Sequence, residues 1–396
     1  MVQPLDIELV GGRGVDFQSR QLTAPLTIGI ARGRIACVAP TTDTTLGTAD
    51  VVIDVSGHFV SAGLVDMHVH LCHEPRAHRG LPFAHDEGDD RALLRAVQNL
   101  SEMLLQGVCL VRDVGGRDGP LRTIATHSAN SEVVLPEVES SGRPFCVPRG
   151  HGHEFGQTLS SAATIDDAIA AHAALGHRWV KIMNGPELWQ EVELRRLCSA
   201  AHDHDLRVAV HAFSDAGVWP AILASADTVE HCLVSSDEMA AAAVAHGTTF
   251  VPTAFAAKTS LAKSFATTMS AIEVRYLEEW FAYLESGVAF HQRAGLPALI
   301  GTDAGCAPCQ AQDVIEEMLL LERWGFASID VLEWATKGGA GALDRSSDFG
   351  EISVGRFASL IVLDRDPTAS VECCRDPVLV LHKGVPVRDR IGVCLA

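Results

Sequence analysis

Between about residue 61 and residue 345, short apolar segments alternate with longer amphipathic ones, and this alternation restricts the fold more than any other feature. Apolar runs of about five residues predict buried strands, and the stretches between them predict helices. Strands that alternate with helices indicate βα units and a parallel sheet. The predicted strands are Leu64–His70, Val108–Val114, Pro136–Ser140, Trp179–Met183, Arg207–His211, Thr228–His231, Thr249–Val251 and Ala298–Thr302. Eight strands in roughly 270 residues predict an α/β fold of the (β/α)8 TIM barrel type.

Short strands without intervening helices occupy both ends of the chain. Leu26–Ile30 and Arg34–Ala39 are predicted to pair as a hairpin, with Gly33 in the turn. After residue 345, strands return at Ser359–Leu363 and Val378–Leu381. We therefore expect residues 1–60 and 346–396 to form one small, discontinuous β-sandwich domain beside a barrel of residues 61–345.

Charge and composition exclude several classes of protein. The formal net charge is -19 at pH 7, which argues against nucleic acid and anionic membranes as partners. The first residues have no cationic stretch followed by an apolar one, and no apolar run approaches the roughly 20 residues that span a bilayer. The eleven cysteines are scattered, as in a protein with reduced thiols. These features predict a cytoplasmic enzyme.

A single lysine interrupts the apolar run Trp179–Met183. Burying an ammonium group costs several kcal/mol unless its charge is removed or paired. Lys181 could pair with a buried carboxylate, or it could lose its charge by chemical conversion to a carbamate. Its position inside a predicted strand argues against an ordinary solvated side chain.

Four predicted strands end in, or are followed by, side chains that can bind a metal ion: His68, His70, His211, His231 and Asp303. His68 and His70 lie two residues apart on a strand, so they point to the same side. Asp66 shares that side and could orient a ligand. Alone, each histidine is equally compatible with a buried or solvated side chain, and Asp303 with a helix cap. Together they would meet at the carboxyl-terminal rim of a barrel, where active sites of this fold lie.

Seven segments of the chain resemble a known family, and five of them contain the candidate ligands. The segments are Gly63–His70, Val111–Gly116, Val180–Ile182, Val210–Ala212, Val229–His231, Gly301–Asp303 and Gly350–Arg356. In these segments, which span nearly the whole chain, the protein resembles the amidohydrolase superfamily. Within it, the chain is most similar to the binuclear branch that contains imidazolonepropionase-like proteins and Xaa-Pro dipeptidases.

The resemblance implies two divalent metal ions, for which zinc is expected. The first would be held by His68, His70 and Asp303, and the second by His211 and His231. Lys181, carboxylated by carbon dioxide, would bridge both ions. An amine must be neutral to take up carbon dioxide, and burial lowers the pKa of a lysine in that direction.

The resemblance also implies a reaction. A hydroxide that bridges the metal ions would attack the carbonyl carbon of an amide or peptide-like C–N bond in a small-molecule substrate. Asp303 would accept a proton and return it to the leaving nitrogen. Related enzymes are commonly homo-oligomers, so the same is expected here. The alternative is a mononuclear deaminase or cyclic-amide hydrolase, which a count of bound metal would distinguish.

A second His-x-His pair, His151 and His153, lies in a glycine-flanked loop after the third predicted strand. By resemblance to the dipeptidase branch, His153 is the first candidate to contact the substrate carbonyl oxygen, and His151 is the second. Two solvated loop histidines are the other interpretation. Related sequences often have a tyrosine where this chain has Phe213, and this difference weakens a prediction of dipeptides as substrates.

Two further features are open to interpretation. Cys306 and Cys309 form a lone CxxC motif, which is compatible with redox chemistry, with a soft metal ion or with two free thiols. The loop Cys72–Asp90 is a candidate lid, in which Arg76 could bind a substrate carboxylate; Arg149 is the other candidate for that role.

Overall fold

The structure is a computed structural model that describes residues 5–42, 48–73, 88–130, 133–159, 164–185, 187–262, 269–306 and 308–392. Among these residues, none of the helices combines the length and the hydropathy that crossing a bilayer requires. His73 is therefore described, whereas Arg76 and most of the candidate lid lie outside the described residues.

The element order agrees with the predicted alternation. The strands are β1 Leu5–Asp16, β2 Gln21–Ala31, β3 Arg34–Pro40, β4 Ala49–Asp54, β5 Phe59–Ala62, β6 Leu64–Val69, β7 Val108–Asp113, β8 Glu137–Ser140, β9 Phe145–Cys146, β10 Gln157–Thr158, β11 Trp179–Met183, β12 Arg207–His211, β13 Thr228–Glu230, β14 Thr249–Val251, β15 Leu360–Leu363, β16 Leu379–His382 and β17 Val385–Asp389. The α-helices are α1 Asp89–Leu105, α2 Asp118–Ala129, α3 Ile165–Ala174, α4 Glu191–Asp203, α5 Asp215–Leu223, α6 Asp237–His246, α7 Ala254–Ser260, α8 Ala271–Ala294, α9 Val314–Arg323, α10 Ser328–Glu333 and α11 Gly339–Ala342. A π-helix spans Trp334–Gly338, and a 3₁₀ helix spans Val371–Arg375.

The central strands form the (β/α)8 barrel. Parallel ladders join β6 to β7 to β8, and β11 to β12 to β13 to β14. The eighth predicted strand is extended backbone that links these two sheets, since Ala298 bridges Phe250 of β14 and Ala304 bridges Val69 of β6. Because every ladder here is parallel, the carboxyl ends of the strands share one rim, and the candidate ligands lie there.

The two chain ends share one additional sheet of eight strands, in which β5 pairs antiparallel with β15. This additional β-domain is discontinuous in sequence, as predicted. The long strand β1 pairs with β4 through its first half and with β5 through its second half, and register shifts interrupt its ladder with β2 near Gly12. These irregularities bend the strand, so one continuous sheet encloses its own apolar core.

Candidate metal centre

The strand-end residues surround one cavity of about 290 Å³. All six predicted ligands line it: His68, His70, Lys181, His211, His231 and Asp303. Burial is nearly complete, since His68 is 0% exposed and Lys181 is 1% exposed. The pattern of strand ends in the sequence therefore identified residues that the fold brings together.

Three of the four histidines are oriented by contacts through Nδ1. The contacts are His68 Nδ1 to Glu230 Oε2 at 2.6 Å, His70 Nδ1 to the Gly115 carbonyl oxygen at 2.9 Å, and His231 Nδ1 to Thr253 Oγ1 at 2.7 Å. When Nδ1 carries the proton, Nε2 presents its lone pair to the cavity. Such contacts fix the tautomer and the ring orientation of metal-binding histidines.

Asp303 gives the first group of ligands a negative charge. Its Oδ1 lies 3.4 Å from His68 Nε2 and 3.1 Å from His70 Nε2. Burial alone would raise the pKa of Asp303, but the contacts with His68 and His70 outweigh burial and hold the pKa below its ordinary value. The two imidazoles and the carboxylate place one donor atom each within 4.8 Å of the others, which is a suitable arrangement for one divalent cation.

The second group, Lys181, His211 and His231, has a different chemistry. The ring centroids of His211 and His231 lie 4.5 Å apart, and desolvation lowers the pKa of both far below the ordinary value. Burial lowers the pKa of Lys181 to about 8. Within the described part of the chain, Lys181 Nζ and both ring nitrogens of His211 have no hydrogen-bond partner. Unpaired buried donors and acceptors are costly, so a cation that takes up these lone pairs fits the site.

A buried ion pair between Arg112 and Glu230 contacts Nδ1 of His68. Arg112 Nη2 lies 2.8 Å and 3.0 Å from the two carboxylate oxygens of Glu230, and its Nη1 donates to Thr228 Oγ1 at 2.9 Å. Burial alone would raise the pKa of Glu230, but the charge of Arg112 and the contact with His68 together outweigh burial and hold the pKa well below its ordinary value. Sequence reasoning placed Glu230 and Arg112 inside family motifs but assigned neither a role. The apolar neighbours of both residues were the signal that such charges must be paired.

Asp66 positions the backbone on which two ligands are mounted. Its Oδ1 accepts hydrogen bonds from the backbone N–H groups of His68 and Thr302, both at 3.1 Å, and its Oδ2 accepts from Thr302 Oγ1 at 2.7 Å. Burial raises the pKa of Asp66 to about 7. The carboxyl group therefore ties the strand of His68 to the strand before Asp303, through backbone rather than through the imidazole.

Two of the candidate ligands have a strained, left-handed backbone conformation. His231 has a φ of 69°, and Asp303 has a φ of 60°. The left-handed region costs a residue other than glycine on the order of 1–2 kcal/mol. The backbone N–H of Asp303 donates to the His68 carbonyl oxygen at 2.8 Å, and that of His231 donates to Val251 at 2.8 Å. These bonds hold two ligands in conformations that turn their side chains toward the cavity.

The structure separates the two loop histidines. His151 lines the cavity, with its ring centroid 4.7 Å from that of His211, and its backbone N–H donates to Glu187 Oε2 at 3.1 Å. His153 is not among the lining residues; its Nδ1 lies 3.0 Å from the Gly150 carbonyl oxygen, and its side chain is 43% exposed. The geometry favours His151 for contact with a substrate, the reverse of the predicted order. Arg149 is exposed and is not a lining residue either.

An aromatic wall completes the cavity. Phe213 packs edge-on against His211, with ring centroids 4.2 Å apart at 83°. It also contacts Trp280 at 4.8 Å and Tyr276 at 5.4 Å, and both side chains come from α8. Trp280 Nε1 donates to the His231 carbonyl oxygen at 2.8 Å, so a hydrogen bond links the aromatic side chains to a candidate ligand. Part of the cavity lining is therefore apolar and aromatic, next to the polar residues.

Comparison with known proteins identifies the family of the chain. The family model described as "Amidohydrolase family" matches residues 59–387. An uncharacterized protein of Mycobacterium tuberculosis (strain ATCC 25618 / H37Rv) is 26% identical over 391 residues, which cover 94% of this chain and 96% of that protein. An adenine deaminase of Paracoccus denitrificans (strain Pd 1222) is 26% identical over 145 residues, which cover 36% of this chain and 24% of that protein.

The fold is similar to that of solved structures. A Xaa-Pro dipeptidase crystallised with methionine in its active site has a TM-score of 0.86 and is 20% identical; the match covers 96% of this chain and 99% of that one. This likeness shows the fold, and the family match covers far more than half of the sequence. The chain therefore belongs to the amidohydrolase family, and it is a hydrolytic enzyme that acts on carbon–nitrogen bonds.

Proposed function

We propose that this chain is a metal-dependent hydrolase that cleaves an amide or peptide-like C–N bond of a small molecule at a centre of two divalent cations. One observation supports this most strongly: His68 Nε2, Lys181 Nζ and both ring nitrogens of His211 are buried without a hydrogen-bond partner among the described residues, and they share one cavity with the carboxylate of Asp303. Donors in this combination suit zinc and its neighbours.

We assign the residues to the two ions as the resemblance to the family implies. His68, His70 and Asp303 would hold the first ion, and His211 and His231 the second. Lys181 would contact both after it becomes a carbamate. When bound, the ions would lower the pKa of a water molecule and polarise the substrate carbonyl group.

The conversion of Lys181 is a simple addition. The lone pair of its neutral Nζ attacks the carbon of carbon dioxide, a C–N bond forms, and Nζ releases one proton. The neutral amine thus becomes an anionic ligand, and an amine that starts as the cation first loses one further proton. Burial, which lowers the pKa of Lys181 to about 8, raises the fraction of neutral amine available near neutral pH.

Two residues would act on the substrate directly. Asp303, kept ionised by its contacts with His68 and His70, would take the proton that the attacking water loses and deliver it to the leaving nitrogen. His151 would donate a hydrogen bond to the substrate carbonyl oxygen. Desolvation lowers the pKa of His151, so its ring is neutral near pH 7 and still offers one N–H group.

The aromatic wall suggests the kind of substrate. Phe213, Trp280 and Tyr276 line the same cavity of about 290 Å³ as the polar residues. Removing apolar surface from water lowers the free energy of the complex. One side of the scissile bond should therefore carry an apolar or aromatic group. The tyrosine hydroxyl that related sequences have at position 213 is absent, and Tyr276 supplies a phenol to the same cavity.

The second candidate is a deaminase or cyclic-amide hydrolase with one metal ion. Two observations favour it: His68, His70 and Asp303 already form a complete group of three donors, and part of the chain is similar to an adenine deaminase. The number of bound ions separates the candidates.

The decisive experiment measures metal content by mass spectrometry and hydrolysis together. The protein is screened against dipeptides, N-acyl amino acids, cyclic amides and aminopurines, before and after removal of metal. Two ions per chain and chelator-sensitive cleavage of an open-chain amide are expected. One tightly held ion with deamination would support the second candidate, and full turnover by metal-stripped protein would contradict both.

The same measurement on a His204→Ala variant provides a control. His204 is exposed at the end of α4, away from the cavity. Its replacement should leave both the metal content and the rate unchanged.

A further inference from the structure

A second group of possible ligands lies beside the first, at His70, His73 and Cys306. One donor atom from each of these three side chains lies within 4.8 Å of the others. The rings of His70 and His73 are parallel, with centroids 5.4 Å apart and planes 2° from each other. Cys306 lines the same cavity as the proposed metal centre. The proposed reaction uses neither His73 nor Cys306.

The backbone builds this group around His70. The His73 N–H donates to the His70 carbonyl oxygen at 3.1 Å, which turns the chain back after β6. On the other side, Gly305 packs so closely that a Cβ there would lie 2.0 Å from the same oxygen, and its φ is +99°. Only glycine fits at this position, and the close approach brings Cys306 next to the imidazole.

The loop that carries Cys306 is closed by its own hydrogen bonds. The Cys306 N–H donates to the Asp303 carbonyl oxygen at 3.0 Å, and the Cys309 N–H donates to the Cys306 carbonyl oxygen at 2.8 Å. Gly305 in turn donates to Cys309 at 3.1 Å. The thiol therefore stands on a compact turn directly after the ligand Asp303.

The two groups of ligands differ in chemical softness. A thiolate with two imidazoles prefers soft or borderline cations such as Cd²⁺ and Zn²⁺, whereas His68, His70 and Asp303 include a hard carboxylate oxygen. Both groups use His70. Its Nδ1 is engaged by the Gly115 carbonyl oxygen at 2.9 Å, so one nitrogen, Nε2, remains for a metal ion. One lone pair can bind one cation, and occupancy of the two groups is mutually exclusive.

We propose that His70, His73 and Cys306 form an inhibitory site for a thiophilic divalent cation, which withdraws His70 from the proposed metal centre. On binding, the cation replaces the proton of the Cys306 thiol, a metal–sulfur bond forms, and one proton is released. The inhibitory consequence rests on the proposed function, whereas the binding of the cation does not.

The test is a titration of the protein as isolated with Cd²⁺, followed by near-ultraviolet absorption and by hydrolysis. A thiolate bound to Cd²⁺ gives a charge-transfer band that imidazole and carboxylate ligands do not give. We expect one equivalent of Cd²⁺ to produce the band and to stop hydrolysis. Failure of the band to form would overturn the site, whether or not the protein hydrolyses anything.

Three variants assign the band to its residues. Of the described cysteines, Cys37 and Cys306 are the two that are not fully buried, so Cys37→Ser is the matched control and should keep the band. Cys306→Ser should lose it. His73→Asn should weaken Cd²⁺ binding by at least roughly tenfold, since even the loss of a supporting contact costs a metal site that much. Equal bands in Cys306→Ser and wild type would contradict the proposal.

Hydrolysis by the His73→Asn variant tests the inhibitory step. This variant should hydrolyse at nearly the wild-type rate without Cd²⁺ and should need at least roughly ten times more Cd²⁺ for half inhibition. A band that forms without loss of activity would overturn the competition for His70. If no substrate is ever cleaved, the proposed function fails, and the absorption titration still decides the cation site.

Discussion

The two halves of the proposed metal centre are built from similar strand ends but differ in charge. His68 and His70 meet the carboxylate of Asp303 at 3.4 Å and 3.1 Å, so the first half contains an anion as folded. In the second half, Lys181, His211 and His231 are all bases, and burial lowers the pKa of each. The first half can attract a divalent cation by itself, whereas a protonated lysine in the second would repel one.

This difference shows what a carbamate on Lys181 would accomplish. It would turn the one potential positive charge of the second half into a negative one and supply the oxygen ligands that His211 and His231 lack. The first half is completed by folding, and the second would be completed by a chemical modification. Substitutions in the two halves should therefore have different consequences for metal binding.

The largest effect is expected for Asp303→Asn in the complete half. The change removes the anionic ligand of the first ion and the proton carrier, so the rate of hydrolysis should fall by about a thousandfold or more. Metal analysis should show loss of the first ion as well. Asp364→Asn, on an exposed aspartate, is the matched control and should keep both. An Asp303→Asn enzyme within about tenfold of the wild-type rate would remove Asp303 from the mechanism.

A smaller loss that can be rescued is expected for Lys181→Ala in the incomplete half. The variant should keep the first ion, lose most of the second, and slow hydrolysis by about a hundredfold. Small carboxylates such as formate or propionate should partly restore both properties, because they can occupy the space of the missing carbamate. Metal content and rate, measured with and without added carboxylate, test this.

Among the described residues, Lys383 is the second buried lysine, and it is the control for that experiment. Lys383 is 8% exposed, but its Nζ lies 2.5 Å from Glu137 Oε1 and donates to the Ser128 carbonyl oxygen at 2.9 Å. Lys383→Ala should lower the stability without changing the metal content. Failure of carboxylates to restore Lys181→Ala, or an equal effect of carboxylates on Lys383→Ala, would contradict a carbamate at position 181.

The sequence predicted which side chains meet, because their spacing depends on strand periodicity alone. His68 and His70 share one face of a strand, and parallel strands bring their carboxyl ends to one rim. The role of Glu230 was not predictable in this way, since its partner His68 lies 162 residues earlier in the chain. The order of His151 and His153 was equally inaccessible, because a glycine-flanked loop has no periodicity to orient its side chains.

Glu230→Gln tests the contact between Glu230 and the ligand His68 in the complete half. Its effect on metal binding should be smaller than the effects of the changes above. A glutamine can still accept from His68 Nδ1, but it leaves Arg112 buried without its counter-ion. We expect metal affinity to fall about 10–100-fold and the free energy of unfolding to fall by about 3 kcal/mol. Chelator competition and urea denaturation measure the two quantities.

Glu317→Gln is the matched control for this substitution. Glu317 is also fully buried, and it accepts from the backbone N–H groups of Ala254 and Phe255. Burial raises the pKa of Glu317 to about 8, so the side chain is largely neutral at pH 7 and glutamine removes little charge, although its amide nitrogen cannot accept the second N–H bond. The control should bind metal normally and lose less stability. Equal losses in both variants would mean that the charge of Glu230 is unimportant.

The smallest expected effect concerns the incomplete half in the absence of metal and carbon dioxide. Burial lowers the pKa of Lys181 from 10.5 to about 8, so between these values the folded protein binds fewer protons than the unfolded chain. Stability should therefore rise with pH across this window, and the penalty is fully present below pH 8, at about 3 kcal/mol. Lys181→Met removes the ammonium at similar volume and should be more stable than wild type at pH 7.

That advantage should shrink as pH rises from about 8 to 10.5, because the wild-type amine then loses its proton in both states. Urea denaturation of both metal-free proteins across this range measures it. Lys383→Met should behave in the opposite way at pH 7, since it breaks the ion pair with Glu137. If Lys181→Met is no more stable than wild type at any pH, the lysine carries no electrostatic penalty, and the incomplete half does not need an anion to compensate for it.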